Sequence, residues 1–360
     1  MNLLPLHTKH IDLGAKMGAF AGFDMPLTYK GVKAEHLCVR EHVGVFDVSH
    51  MGEFLVSGEK ALDLLQFTTS NNVTTLAVGD AQYAYMPNAT GGVVDDLLIY
   101  RIAEHTYLLV VNASNMEKDW EWLNEQNKAF GATLKNASDD FVLLALQGPK
   151  AHALMSELSE VDSTTQKSFT IVQTAVAGVE NVWVATTGYT GAGGVELYIP
   201  ANGAAQVWEA LLTKGEAYTI QPIGLAARDT LRLEMGYCLY GHELTDTTSP
   251  IAARLAWCTD FSKAFVGEEH IKKDKAEGTK QLRIGFTMID RGIPRQGYTL
   301  VDADGNPIGE VTSGTSSPSL GVGIGMGYVA RAFAKTGTKI YVQIREKNIK
   351  AVVTRLPFVS

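Results

Sequence analysis

Three stretches of this chain hold charged groups in surroundings where charge is costly, which makes them the first candidates for chemistry. In Gly91-Gly92-Val93-Val94-Asp95-Asp96-Leu97-Leu98-Ile99-Tyr100, two adjacent carboxylates interrupt an apolar, β-type run. Successive strand side chains face opposite ways, so Asp95 and Asp96 cannot share a face, and at least one points into a packed or pocket-facing environment. Buried acids cluster at functional sites, but an Asp that caps backbone amides at a strand end fits the same pattern. In Thr187-Gly188-Tyr189-Thr190-Gly191-Ala192-Gly193-Gly194-Val195-Glu196-Leu197-Tyr198, a Gly-rich turn feeds a strand that carries Glu196 between two apolar residues. A carboxylate there can accept two parallel N–H bonds from a flat heterocycle. Alternation equally permits an exposed Glu196 opposite Val195 and Leu197. In Gly224-Leu225-Ala226-Ala227-Arg228-Asp229-Thr230-Leu231-Arg232-Leu233-Glu234, Arg228 and Arg232 stand one turn apart on an amphipathic helix. That spacing is common on a solvated face, and it also suits an arginine that binds a ligand carboxylate or carbonyl.

Other motifs fail on their spacing. Gly321-Val322-Gly323-Ile324-Gly325-Met326-Gly327 lacks GxGxxG, because the sixth position from Gly321 or Gly323 is Met326 or Tyr328. The alternation instead describes a strand with glycines on one face, packed close to another backbone, and Val322, Ile324 and Met326 on the other. Neither a P-loop nor a GxSxG elbow occurs. The nine histidines form no HxH or HxxxH pair, and His50 stands alone in Phe46-Asp47-Val48-Ser49-His50-Met51-Gly52-Glu53, so no metal is expected.

The elements that must position these groups alternate in type. Helices are expected over Lys33–Val43, Glu59–Gln66, Trp120–Phe130 (behind a capping box at Ser114–Glu117), Gly203–Leu212 and Ile223–Met235. Strands are expected over Glu53–Val56, Val93–Tyr100, Tyr107–Val111, Val142–Leu146, Val182–Thr187 and Val195–Ile199. The charged run Lys272–Lys280 reads as a solvated linker, with a domain covering 1–275 before it and another covering 280–360 after it. The second domain holds short strands, Arg283–Ile289, Thr299–Val301, Ile308–Val311, Val322–Val329, Lys339–Ile344 and Lys350–Leu356, separated by Gly, Asp or Pro, as in a small antiparallel barrel or sandwich.

Composition narrows the class. A chain of 360 residues with 46% hydrophobic and 19% charged residues is long enough for two or three packed domains. Its net charge of −8 disfavours nucleic acid and anionic membrane as partners. Cys38, Cys238 and Cys258 are odd in number and far apart, which fits a reducing compartment. The N-terminal Met1-Asn2-Leu3-Leu4-Pro5 lacks the apolar run of a signal peptide, and no apolar stretch approaches the roughly 20 residues of a membrane span, so the cytoplasm is the expected location.

Taken together, the segments resemble one family. Ala21-Gly22-Phe23-Asp24-Met25-Pro26, Phe46–Glu53, Gly91–Tyr100, Leu146-Gln147-Gly148-Pro149, Gly188-Tyr189-Thr190-Gly191 with Glu196, Ala227-Arg228-Asp229, and Val311-Thr312-Ser313-Gly314 through Ser317-Pro318 look like the folate-dependent aminomethyltransferase family of the glycine cleavage system. They occur in the family's order and cover nearly the whole chain. The resemblance implies an α+β fold: two interwoven α/β folate-binding domains plus a C-terminal antiparallel β-barrel, around a central channel. It implies a reaction in which a lipoylated H protein delivers an S-aminomethyl group, tetrahydrofolate receives the one-carbon unit, and ammonia leaves. Carried over by position, Asp96 matches the catalytic aspartate, beside the reactive folate amine. Glu196 matches the acid that grips the pterin edge, and Arg228 matches a folate-anchoring arginine. Tyr83, Asn112 and Tyr237 match residues lining the folate site, and Met51 and Leu55 match the pterin-packing positions, where core residues would also suit. Ala192-Gly193-Gly194 departs from the acidic residues relatives commonly carry there, and Cys258 with Thr259-Asp260-Phe261 is also atypical. A demethylase of the same superfamily and a non-catalytic folate-binding scaffold are the competing readings.

Overall fold

The computed structural model describes residues 1–359. The chain divides into two compact units that interleave in sequence. The first comprises Met1–Thr68, Val73–Ala84 and Leu97–Asp229, and the second Thr69–Asn72, Tyr85–Asp96 and Thr230–Ser360.

In the first unit a sheet runs in the order Ile171–Val176, Val179–Ala185, Gly194–Pro200, Phe141–Gln147, Val43–Asp47, Ile220–Pro222. Its register opposes Leu144 to Leu197, Leu146 to Val195 and Ala145 to Glu196. Because side chains alternate along a strand, Val142, Leu144 and Leu146 lie on one face with Val195, Leu197 and Ile199. That face forms the main core with Trp208 and Leu211 of the helix Ala204–Gly215. Glu196, Tyr198 and Ala145 take the other face. The strand Val43–Asp47 is buried at every residue, so it lacks the alternation that would mark it in the sequence; the helix expected to run to Val43 ends at Glu41.

A five-stranded sheet follows the order Ala81–Pro87, Val93–Ala103, Thr106–Val111, Gly52–Ser57, Thr133–Asn136. A small sheet near the N-terminus joins Asn2–Leu3, Phe23–Thr28 and Lys16–Phe20. The helix expected behind Ser114 spans Met116–Asn127, but no capping box forms. Ala113–Asn115 is a 3₁₀ turn, and the cap residue Asn115 makes no side-chain capping bond.

Glu35 ties several of these pieces together. It is fully buried in the first turn of the helix Val32–Glu41. Its Oε1 accepts hydrogen bonds from the Thr28 hydroxyl (2.6 Å) and from the amides of Tyr29 (2.7 Å), Lys30 (2.9 Å) and Gly31 (2.9 Å). Its Oε2 accepts from the Gly224 amide at 2.7 Å, immediately before the helix Leu225–Met235 that carries Arg228. A buried carboxylate is tolerated there because donors surround it, and charge-assisted bonds are the strong kind.

The second unit contains a closed antiparallel barrel in the order Gln281–Met288, Gly323–Ala330, Pro307–Ser316, Thr299–Val301, Lys339–Ile344, Lys347–Thr354. Phe286, Leu300, Val311, Val329, Ile340 and Val342 fill it. The glycine alternation has the expected cause: a Cβ on Gly327 would stand 2.3 Å from the Glu310 carbonyl oxygen. Ile324 and Met326 point the other way and pack with Leu233, Leu356 and Phe358. The supposed linker at Lys272–Lys280 is instead mostly helix, Glu268–Glu277. Ile271 is buried within it, Lys272 pairs with Glu268 one turn away, and Lys275 lies 3.4 Å over the Phe261 ring. Local pairing and one apolar anchor thus order a run whose charge suggested solvated coil.

Glu35→Gln turns an acceptor into a donor among donors and should lower folding stability by about 2–4 kcal/mol. Urea unfolding reads this as a lower midpoint at unchanged slope; an unshifted midpoint would show that the cradle carries no stability.

Candidate active site

Glu196 stands in a strand column between Ala185 and Ala145, so small neighbours leave room around its carboxyl group. Both hydrogen bonds it receives from the protein fall on Oε2, one from the Thr187 hydroxyl and a longer one from the Tyr100 hydroxyl at 3.5 Å. Tyr100 and Thr187 share a further bond at 2.8 Å, and Tyr198 donates to Tyr100 at 3.0 Å. One oxygen is therefore anchored, while Glu196, a partly exposed residue, keeps Oε1 for other donors. Loss of solvation raises the Glu196 carboxyl above its ordinary range, against the Thr187 bond, the charge of Arg228 and the Tyr100 bond, which all favour ionisation.

The loop that feeds this strand is bolted down by Gln147. Its side-chain amide donates to the carbonyls of Thr187 (3.2 Å) and Val195 (3.3 Å), and its oxygen accepts from the Thr190 hydroxyl at 2.9 Å. A Cβ at 188 would stand 2.0 Å from the Gln147 oxygen and displace that side chain from its bonds. Arg40 adds a bond to the Thr190 carbonyl at 2.6 Å. The fixed loop holds the Tyr189 ring beneath the Arg228 guanidinium, 4.4 Å from the ring centroid, a cation–π contact that restrains the arginine.

Two further titratable groups share this region. His50 is 1% exposed, its Nδ1 has no hydrogen-bond partner, and its ring meets Phe20 edge-on at 5.5 Å. Burial and then the charge of Arg228 push it down to about 3, against a weaker pull from Asp47, so His50 is neutral at physiological pH. Glu53 is also 1% exposed, and its Oε1 is buried without a partner. Burial, and then the charge of Glu196, hold its carboxyl well above the usual range. Register opposes Glu53 to Val110 and Val110 to Leu98, so these side chains share a sheet face with Leu55.

The residues singled out by sequence fall in both units. Met51, Leu55, Tyr83, Asn112, Glu196 and Arg228 belong to the first; Asp96 and Tyr237 belong to the second. Glu196 and Arg228 are brought within electrostatic reach of each other. Met51 and Asn112 lie next to the paired strand ends Gly52 and Val111, and Tyr83 is half-buried on its strand. In the second unit the expected alternation holds, with Asp95 fully buried and Asp96 partly exposed. The backbone just before them is stapled by the Val93 amide to Thr245 (3.2 Å) and by the Tyr240 hydroxyl to the Val93 carbonyl (3.0 Å). Tyr237 is 37% exposed at the end of the helix, where the buried Arg232 holds its carbonyl at 3.0 Å and pairs with Glu243 at 2.8 Å. Arg232 thus supports the turn and is not on a solvated face. Sequence reasoning passed over Glu53, Gln147, Thr187 and Tyr100 as site-building residues. Glu53 carried a usable signal, a carboxylate inside the apolar run Gly52–Ser57, of the same kind as Glu196.

Comparison with known proteins gives the family. An aminomethyltransferase of Phocaeicola vulgatus is 52% identical over 360 residues, covering 99% of each chain. One of Flavobacterium psychrophilum is 50% identical over 349 residues, covering 97% of each. The crystal structure of the glycine cleavage system aminomethyltransferase T from Bartonella henselae superposes with a TM-score of 0.93 at 37% identity, over 99% of this chain and 98% of that one. With residues 6–263 matching the GCVT N-terminal domain and residues 281–360 the glycine cleavage T-protein C-terminal barrel domain, the chain belongs to the glycine cleavage T-protein family.

Proposed function

We propose that this chain is an aminomethyltransferase of glycine cleavage that uses tetrahydrofolate as one-carbon acceptor and a lipoylated H protein as donor. The observation that carries the folate reading is the carboxyl of Glu196, anchored through Oε2 with Oε1 left for a ligand, beside an arginine stacked on Tyr189. A pterin edge offers adjacent N–H donors to such an acceptor, and the Arg228 fork suits a carbonyl or carboxylate. Met51 and Leu55 supply apolar contact for the ring, with Tyr83, Asn112 and Tyr237 as further lining.

The overall change balances simply. The sulfur–carbon bond of the aminomethyl-dihydrolipoyl arm and the carbon–nitrogen bond to ammonia break, and two carbon–nitrogen bonds to the folate amines form. The two amine hydrogens leave on the lipoyl thiol and on ammonia. Positive charge develops on the N–CH₂–S carbon as it becomes iminium-like, and the Asp96 carboxylate stabilises that charge and orients the attacking amine. Among the described residues no group of three or more His, Cys, Asp or Glu side chains is placed to hold a metal ion.

The donor protein needs a docking surface on a chain of net charge −8. We assign it to the exposed Arg291 and Arg295, which alternate with the exposed Ile289 and Ile293 in the loop after the first barrel strand. Complementary charge speeds encounter with an acidic carrier.

The defining assay follows ammonia release from aminomethyl-loaded H protein, with and without tetrahydrofolate; release that is indifferent to folate would overturn the proposal. Asp96→Asn should lower turnover by about 10²–10⁴ while folate binding survives, and Asp95→Asn should do far less; equal losses from the two would remove Asp96 from its role. Glu196→Gln should weaken folate binding about tenfold to a hundredfold, as calorimetry would show; unchanged affinity would leave Glu196 outside the pterin site. Reversing the charge of Arg291 and Arg295 should raise the KM for H protein and flatten its salt dependence at constant folate affinity, whereas indifference at low ionic strength would place docking elsewhere.

A further inference from the structure

Glu53 has no task in the reaction as set out, yet it occupies the same region as Glu196. Its carboxyl is 1% exposed and its Oε1 finds no hydrogen-bond partner. An apolar residue of similar shape would avoid the cost of such burial, so the fold retains a group that weakens it. The groups that face this pair of acids are few. Glu196 and Tyr198 come from the strand Gly194–Pro200, Tyr100 from Val93–Ala103, and Arg228 from the helix Leu225–Met235; His50, in the turn before Gly52–Ser57, lies within electrostatic reach of Arg228. Arg228 is the one cation among them, since His50 stays neutral, and Arg228 acts on Glu196 and His50.

The two carboxyls are therefore unequal. Glu196 has two hydroxyl donors and an arginine to favour its ionised form; Glu53 has none of these and a negative neighbour. A single charge shared by two close acids settles on the better-solvated one, and the other keeps its proton. We infer that Glu53 is a second pterin-recognition residue, a neutral carboxyl that donates its O–H to an acceptor atom of the heterocycle while Glu196 accepts from the donors. The chemistry of the ligand class matches: a 2-amino-4-oxopteridine presents N–H donors flanked by a carbonyl oxygen and a ring nitrogen, both acceptors. One carboxylate beside one carboxylic acid complements that mixed edge, and two carboxylates would repel it. Glu53 is placed for this on the face it shares with Leu55, Val110 and Leu98, of which Leu55 and Leu98 are partly exposed. The inference rests on the pterin reading of this pocket.

The test is calorimetric titration of the full chain with tetrahydrofolate from neutral to alkaline pH, on wild type, Glu53→Gln and Glu53→Met. Wild-type affinity should fall as rising pH ionises Glu53. Glu53→Gln keeps a donor and an acceptor, so it should bind within about threefold of wild type at neutral pH and lose that alkaline decline, retaining only the ligand's own ionisation. Glu53→Met should bind about tenfold or more weakly at neutral pH, while its thermal midpoint stays level or rises because a lone buried polar group is gone. Glu53→Met binding as tightly as wild type, or Glu53→Gln declining with pH as wild type does, would make Glu53 structural and overturn the inference. Should Glu53→Met unfold, the Gln comparison decides alone. Failure of the wild type to bind folate at all would overturn the pterin reading itself, a separate outcome.

Discussion

The arrangement around Glu196 depends on how the protein divides its hydrogen bonds between the two carboxyl oxygens. Two hydroxyls hold Oε2, and the network behind them, Thr187 to Tyr100 to Tyr198, is buried and mutually bonded. This fixes the carboxyl plane without saturating it. A carboxylate with both oxygens satisfied internally would be a structural group; one with neither would be mobile and costly to bury. Anchoring through one oxygen gives orientation and leaves an acceptor, and the Thr187 bond and the charge of Arg228 partly offset the loss of solvation that raises the carboxyl above its ordinary range.

Much of the rest of the first unit supports that arrangement. Gln147 fixes the loop that carries Thr187 and Tyr189, and Tyr189 in turn restrains Arg228. Glu35 reaches from another helix to the amide of Gly224, so the helix bearing Arg228 starts from a fixed point. Both supports are buried polar side chains bonded mainly to backbone, which is why substitution at either should shift Tyr189 or Arg228, side chains that it does not touch. Glu53 and His50 show the opposite pattern, with buried polar atoms left unpartnered. Unsatisfied groups of this kind reduce stability and are expected where binding requires them.

The barrel was readable in the sequence because its strands alternate and are cut by Gly, Asp or Pro; Thr299–Val301 and Lys339–Ile344 appear at the expected bounds. Val43–Asp47 was not, since a strand covered on both faces shows no period. Lys272–Lys280 misled because its polarity hid the helix it continues, which is anchored by the buried Ile271 just before the run and by the Glu268–Lys272 pair one turn long. Glu196 illustrates a subtler limit. Alternation does put it opposite Val195 and Leu197, but that second face is not solvent, because Phe46 and Tyr198 are buried on it. Single-strand reasoning cannot see that a sheet is covered twice, nor that Tyr100, ninety-six residues away, supplies a donor.

The most direct measurement is a crystal structure of the chain with tetrahydrofolate bound. The account predicts pterin N–H groups at hydrogen-bond distance from Oε1 of Glu196, with Oε2 still held by Thr187. A pterin seated away from Glu196, or a Glu196 that must release Thr187 to reach it, would contradict the account.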